Sequence, residues 1–164
     1  MTKPADLTQL FAVRALPAKE LTRIRHLGVD DFGHPLRVAI NDSEGGTPLR
    51  CCLRDGRIGE SVALISWRPL VEAPASVYAE VGPVFIHAHD CPGYQDHSSY
   101  PHGFRHREQV LRSYSAEGDM LDAVLIEGAN AESGITALFA APEAVVLHSR
   151  NVKAGCYMFA VYRR

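Results

Sequence analysis

Apolar and polar residues alternate in short runs along most of this chain, and only two stretches carry the three-to-four-residue spacing of a helix. Residues 18–27 set Leu21, Ile24 and Leu27 on one helical side, with Pro17 as a start signal and Gly28 as a stop. Residues 131–140 follow Asn130, a residue type suited to capping, bury Ile135, Leu138 and Phe139, and end before Pro142. Strands are expected over 11–16, 37–40, 48–54, 61–67, 77–80, 84–89, 109–115, 120–126, 144–150 and 156–162. Glu44-Gly45-Gly46 and Asp55-Gly56 supply turn chemistry, and Gly82-Pro83 breaks a run. The runs at 109–115 and 120–126 read as a hairpin, with Gly118 at a left-handed position in the connection. The regular strand–helix alternation of a parallel α/β fold is missing. The expected fold class is therefore α+β: one domain over 1–164, mainly antiparallel sheet with two helices.

Composition fits this picture. At 164 residues, 46% hydrophobic and 22% charged, the chain is long enough to bury a core without a metal or disulfide staple. A net charge of −2 gives no electrostatic footprint for nucleic acid or for an anionic membrane. No apolar run approaches a membrane span, and the first residues lack a signal-peptide core, so a cytoplasmic location is expected. The four cysteines, with Cys51 and Cys52 adjacent and no CxxC spacing, read as free thiols in a reducing compartment.

Residues 90–108 have no periodicity, and a loop of that length is usually functional. The surrounding stretch is also chemically biased, because five of the eight histidines fall between His87 and His106. His87-x-His89-x-Cys91 is its sharpest element. On a strand, His87 and His89 share a face, and the extended residue before Pro92 offers Cys91 as a third ligand. A divalent metal such as zinc is the candidate cofactor, with His97, His102, His106 or His148 as a fourth ligand. The plainer reading is two ordinary histidines at a strand end.

A second constellation is basic. Arg50, Arg112 and Arg150 lie on predicted strands or at their ends among apolar residues. A strand arginine that points inward needs a partner. Glu60, Glu80 or Asp122 would make a structural ion-pair network, and a bound carboxylate or phosphate would make an anion site. Thiol catalysis by Cys91 with His148 and Asn151 is a weaker option, since Pro92 follows where an oxyanion loop would be needed. Cys51, Cys52 and Cys156 read as small buried hydrophobes on strands.

The motifs also carry a resemblance. Pro48-Leu49-Arg50-Cys51-Cys52-Leu53-Arg54 with Gly59-Glu60, then the segment from Tyr78 to Ala88 with Cys91, form its first part. Leu111-Arg112-Ser113-Tyr114, His148-Ser149-Arg150-Asn151 and Gly155-Cys156 complete it. Together they resemble the bacterial family named domain of unknown function 1203. The resemblance implies a bacterial, single-domain, cytoplasmic protein and assigns no activity.

Two functions remain open at this stage. In the first, a small-molecule pocket has His87, His89 and Cys91 as a metal floor. Arg50, Arg112, Arg150, His148 and Tyr78 bind an anionic ligand, residues 90–108 act as a lid, and the chemistry is hydrolytic or proton transfer. In the second, the polar residues pair internally and the chain is a non-catalytic interaction module, with a homo-oligomer as one arrangement.

Overall fold

The computed structural model describes residues 10–164. Among the described residues, ten strands form two five-stranded sheets. The first has the order β1 (Phe11–Arg14), β10 (Tyr157–Arg163), β9 (Val146–Asn151), β7 (Glu108–Tyr114), β8 (Met120–Glu127). The second has the order β2 (Arg37–Ile40), β5 (Ser61–Trp67), β6 (Gly82–His87), β3 (Pro48–Leu49), β4 (Arg54–Asp55). Every pairing is antiparallel except β3 with β6, where Leu49 faces Phe85 in parallel. Two helices, α1 (Ala18–Leu27) and α2 (Ala131–Leu138), complete an α+β fold. No helix among the described residues is long and apolar enough to cross a membrane.

Alternation along the first sheet sends side chains into two separate cores. On one face Phe11, Val13, Leu111, Leu147, Phe159 and Val161 pack against Ile135 and Leu138 of α2. On the other, Tyr114, Val146 and Ala160 meet Ala63, Ile65, Val84 and Ile86 of the second sheet and Leu21 and Ile24 of α1. Gly28 closes α1 at φ 69°, its N–H donating to the Ile24 carbonyl. Leu27, expected on the buried side, is 58% exposed because the helix stops there and the chain turns away. A 3₁₀ turn over Gly128–Asn130 leads into α2, and the Asn130 side chain makes no cap bond.

Several expected strands are redrawn. Residues 48–54 are not one strand: β3 ends at Leu49, the chain turns through 50–53, and β4 begins at Arg54. Residues 77–80 form turns rather than a strand. β6 starts at Gly82 and stops at His87, so Gly82-Pro83 lies inside it and His89 beyond it. Pro83 is tolerated because, like the Phe85 carbonyl that accepts from Arg50 N–H at 2.8 Å, its nitrogen faces the β3 side. β3 is too short to reach that position, so no ladder bond is lost.

Residues 90–108 are packed rather than open as a lid would be. Tyr100 and Phe104 are buried in the α2-side core, with Phe104 in a 3₁₀ turn over His102–Phe104. The Tyr100 hydroxyl donates to Oε1 of the buried Gln109 at 2.5 Å. Gly103 is pressed onto the 53–54 turn so closely that a Cβ there would sit 2.6 Å from the Leu53 carbonyl oxygen and 2.9 Å from Arg54 Cα. Both obstacles are backbone, so Gly103→Ala should destabilise the fold by about 1–3 kcal/mol, as overpacking does. Urea denaturation of the variant beside wild type checks this.

Candidate functional site

The site grows from the turn after β3. Leu53 N–H donates to the Leu49 carbonyl at 3.0 Å, and Leu53 takes a left-handed φ of 57°. That conformation costs a non-glycine residue roughly 1–2 kcal/mol. Full burial of the Leu53 side chain in the α2-side core returns about 2 kcal/mol. In a strand Cys51 and Cys52 would point to opposite faces. Across this turn both thiols approach one imidazole at the end of β6. Cys51 Sγ lies 3.4 Å from His87 Nδ1, Cys52 Sγ lies 3.8 Å from it, and the two sulfurs are 3.9 Å apart. Cys91, in the segment that leaves β6, completes a group whose four donor atoms all lie within 4.8 Å of one another.

Both sides of His87 are held. Its backbone N–H donates to Cys51 Sγ at 3.3 Å, and its carbonyl accepts from Arg25 Nε at 2.9 Å. Nε2 has Arg54 Nη2 at 3.2 Å and Glu60 Oε1 at 3.5 Å. Glu60 itself grips Arg54 through both oxygens at 2.9 and 2.6 Å. That Arg54 fork lowers the Glu60 carboxyl to about 2, so it stays ionised beside the imidazole. The Cys51 thiol is held below the ordinary range, chiefly by its contact with Cys52 and, against burial, by His87. Cys52 is correspondingly raised, first by that contact and then by burial, and Cys91 is raised chiefly by burial. Cys51 raises His87 in turn.

Of the expected metal ligands, His87 and Cys91 come together, whereas His89 stays outside the group. β6 ends at His87, so His89 no longer follows strand geometry. Its ring stacks on His87 at 4.9 Å, and its Nδ1 lies 3.0 Å from the Asp90 carbonyl. The other loop histidines disperse. His97 Nδ1 lies 2.8 Å from the β1 carbonyl of Val13, and His106 lies 3.1 Å from Asp55. Sequence reasoning passed over Cys51 and Cys52, because a strand reading separates them. The adjacent pair of thiols was the signal available.

The residues expected to share an anion pocket occupy three environments. Arg112 and Arg150 both reach Glu80 Oε1, Arg112 at 3.6 Å. His148 is 1% exposed, wedged between Tyr114 at 4.7 Å and Tyr157 at 5.2 Å, with no hydrogen-bond partner for either ring nitrogen among the described residues. Tyr78 meets Tyr114 edge-on, with ring centroids 6.4 Å apart. Arg50 lies apart in a cleft of its own beside Leu64, Pro83 and Phe85. Cys91 sits with His87 rather than with His148 and Asn151, so the expected Cys–His–Asn set does not form.

The fold and this cluster define a two-sheet α+β domain with a compact group of soft metal donors. The chain belongs to the family described as "Protein of unknown function (DUF1203)", whose profile matches residues 46–163. That stretch holds every motif residue from Pro48 to Cys156 and all four members of the thiol–imidazole group. No curated protein and no solved structure shows significant similarity to the chain.

Proposed function

We propose that this chain is a zinc-binding protein whose Cys51, Cys52, His87 and Cys91 hold one structural ion. The observation that carries this reading is the convergence of three thiols and one imidazole, from three separate segments, within 4.8 Å. A tetrahedral ion with metal–sulfur bonds near 2.3 Å sets its sulfurs about 3.8 Å apart. The Cys51–Cys52 separation of 3.9 Å fits that. The donors are soft, which suits zinc and disfavours magnesium or calcium. Glu60 beside Nε2 matches the outer carboxylate that commonly orients a ligating imidazole, leaving Nδ1 for the ion. Four protein ligands leave no open position for water, so the ion's role here is to pin the 50–53 turn to β6 and to the segment that follows.

The test is metal content after purification without an affinity tag. Wild type should carry about one zinc per chain, and cobalt substitution should give thiolate charge-transfer absorption. Cys52→Ser and His87→Ala should lose the metal, and His89→Ala should keep it. Wild-type protein that is metal-free and takes up neither zinc nor cobalt under reducing conditions would end the proposal.

One observation favours a second reading. Cys51, His87 and Glu60 stand in the order nucleophile, base and orienting carboxylate. Cys51 is 1% exposed, however, which closes its sulfur to a substrate and leaves the metal reading ahead. Metal-free protein alkylated at Cys51 alone at mildly acidic pH would reverse that order.

A further inference from the structure

Arg50 is 2% exposed, and no carboxylate among the described residues pairs with it. Its Nε donates to the Tyr157 carbonyl at 2.7 Å, and Nη1 donates to the Pro48 carbonyl. Two carbonyl dipoles do not neutralise a buried cation, and such a charge is costly unless an anion reaches it. A guanidinium keeps its charge at neutral pH inside a protein. Arg50 also lines a cleft of about 260 Å³.

We infer that this cleft binds a small organic monocarboxylate with an apolar body, its carboxylate on Arg50. The walls of the cleft specify the ligand. Leu64, Pro83 and Phe85 form an apolar side that would receive a short alkyl or aromatic group. Asn151 lines the cleft as well, and its Oδ1 already accepts from Lys153 N at 3.2 Å. Its amide NH₂ is therefore left to donate to the second carboxylate oxygen. One cation and one amide suit a single negative charge. A dianion would need a second cation, but Arg107, whose charge reaches Arg50, is committed to Asp55, and Arg150 in the adjoining cleft is committed to Glu80. The proposal does not require the metal, although Arg50 precedes the two cysteines and would be steadied by an ion at the turn.

Cys156 lines the same cleft and lies outside the thiol–imidazole group, which makes it a local reporter. Zinc-loaded protein is treated with iodoacetamide under native conditions, and the modified cysteine is identified by mass spectrometry. Benzoate should slow alkylation of Cys156 about tenfold when present at ten times its dissociation constant. Benzamide, with the same ring and no charge, should leave the rate unchanged, as should inorganic phosphate. Arg50→Met should lose the benzoate effect. A second variant, Ala154→Trp, fills the cleft mouth from an exposed turn, so benzoate should raise the thermal midpoint of wild type and not of this variant. Equal protection by benzamide or phosphate would overturn the inference, and so would no effect of benzoate or butyrate at high millimolar concentration. Labelling at Cys51, Cys52 or Cys91 would count against the metal reading alone, because the Cys156 rate is read separately.

Discussion

On the proposed zinc site, a chelator should lower the thermal midpoint of this protein by about 10 °C, and adding zinc back should restore it. The size follows from mass action. A ligand held at a thousand times its dissociation constant adds about 4 kcal/mol to the stability of the folded state. In a domain of this length each kcal/mol moves the midpoint by roughly 2–4 °C. The metal-free protein should still unfold cooperatively, unlike a zinc finger, which is unfolded without its ion. Both hydrophobic cores are built mainly from other residues: the one between the sheets, which Cys51 joins, rests on Leu21, Ile65 and Ile86, and the one under α2 on Leu111, Ile135 and Phe159. What loosens is the turn carrying Cys51 and Cys52 and the segment carrying Cys91. Cys52→Ser should unfold at the midpoint of the chelated wild type and show no further loss with chelator. Calorimetry of the two proteins with and without chelator checks this, and an unchanged wild-type midpoint would count against a structural ion.

Acid should destabilise the fold through His148 before the depressed carboxylates take part. Burial, then the charges of Arg150 and Arg112, depress this imidazole to about 3. In the unfolded chain it returns to about 6.5. The unfolded state therefore binds a proton that the folded state refuses. The stabilising contribution is complete above about pH 6.5 and is lost as pH falls from there toward 3. The limiting slope is about 1.4 kcal/mol per pH unit, so close to 2 kcal/mol is gone by about pH 5. Glu60 and Asp30, both depressed in the folded state, add their own losses only at lower pH. His148→Leu removes the titration. It should cost little at neutral pH, since neither ring nitrogen makes a hydrogen bond among the described residues. Urea denaturation of wild type and variant between pH 7 and pH 5, at equal zinc, should give stabilities that lie close together at pH 7 and separate as pH falls, because only wild type carries the titrating imidazole. Parallel curves would show that His148 is not the group responsible.

Much of the fold was legible because it rests on local pattern. The two helices carried their period, the first with Pro17 and Gly28 as end signals, and the 108–127 hairpin carried its alternation and Gly118. The resemblance to the DUF1203 family rested on short motifs and was sound. Segments without a period were harder. Residues 90–108 lack one because they pack as irregular chain, their order coming from the buried Tyr100 and Phe104 and from the close seat of Gly103.

The sequence alone determined the α+β class, the antiparallel preference, and the presence of soft and basic side chains near residues 50, 90 and 150. Periodicity and composition are local quantities, and both survive folding. Which side chains meet was decided only in three dimensions. A left-handed Leu53 turned an apparent strand into a corner and brought Cys51 and Cys52 onto one imidazole. The end of β6 at His87 removed His89 from that group. Glu80 reached Arg112 and Arg150 while Arg50 was buried without a carboxylate. Each outcome depends on a turn or strand end fixed by packing from distant parts of the chain. A shift of one residue there reverses the side to which every following side chain points.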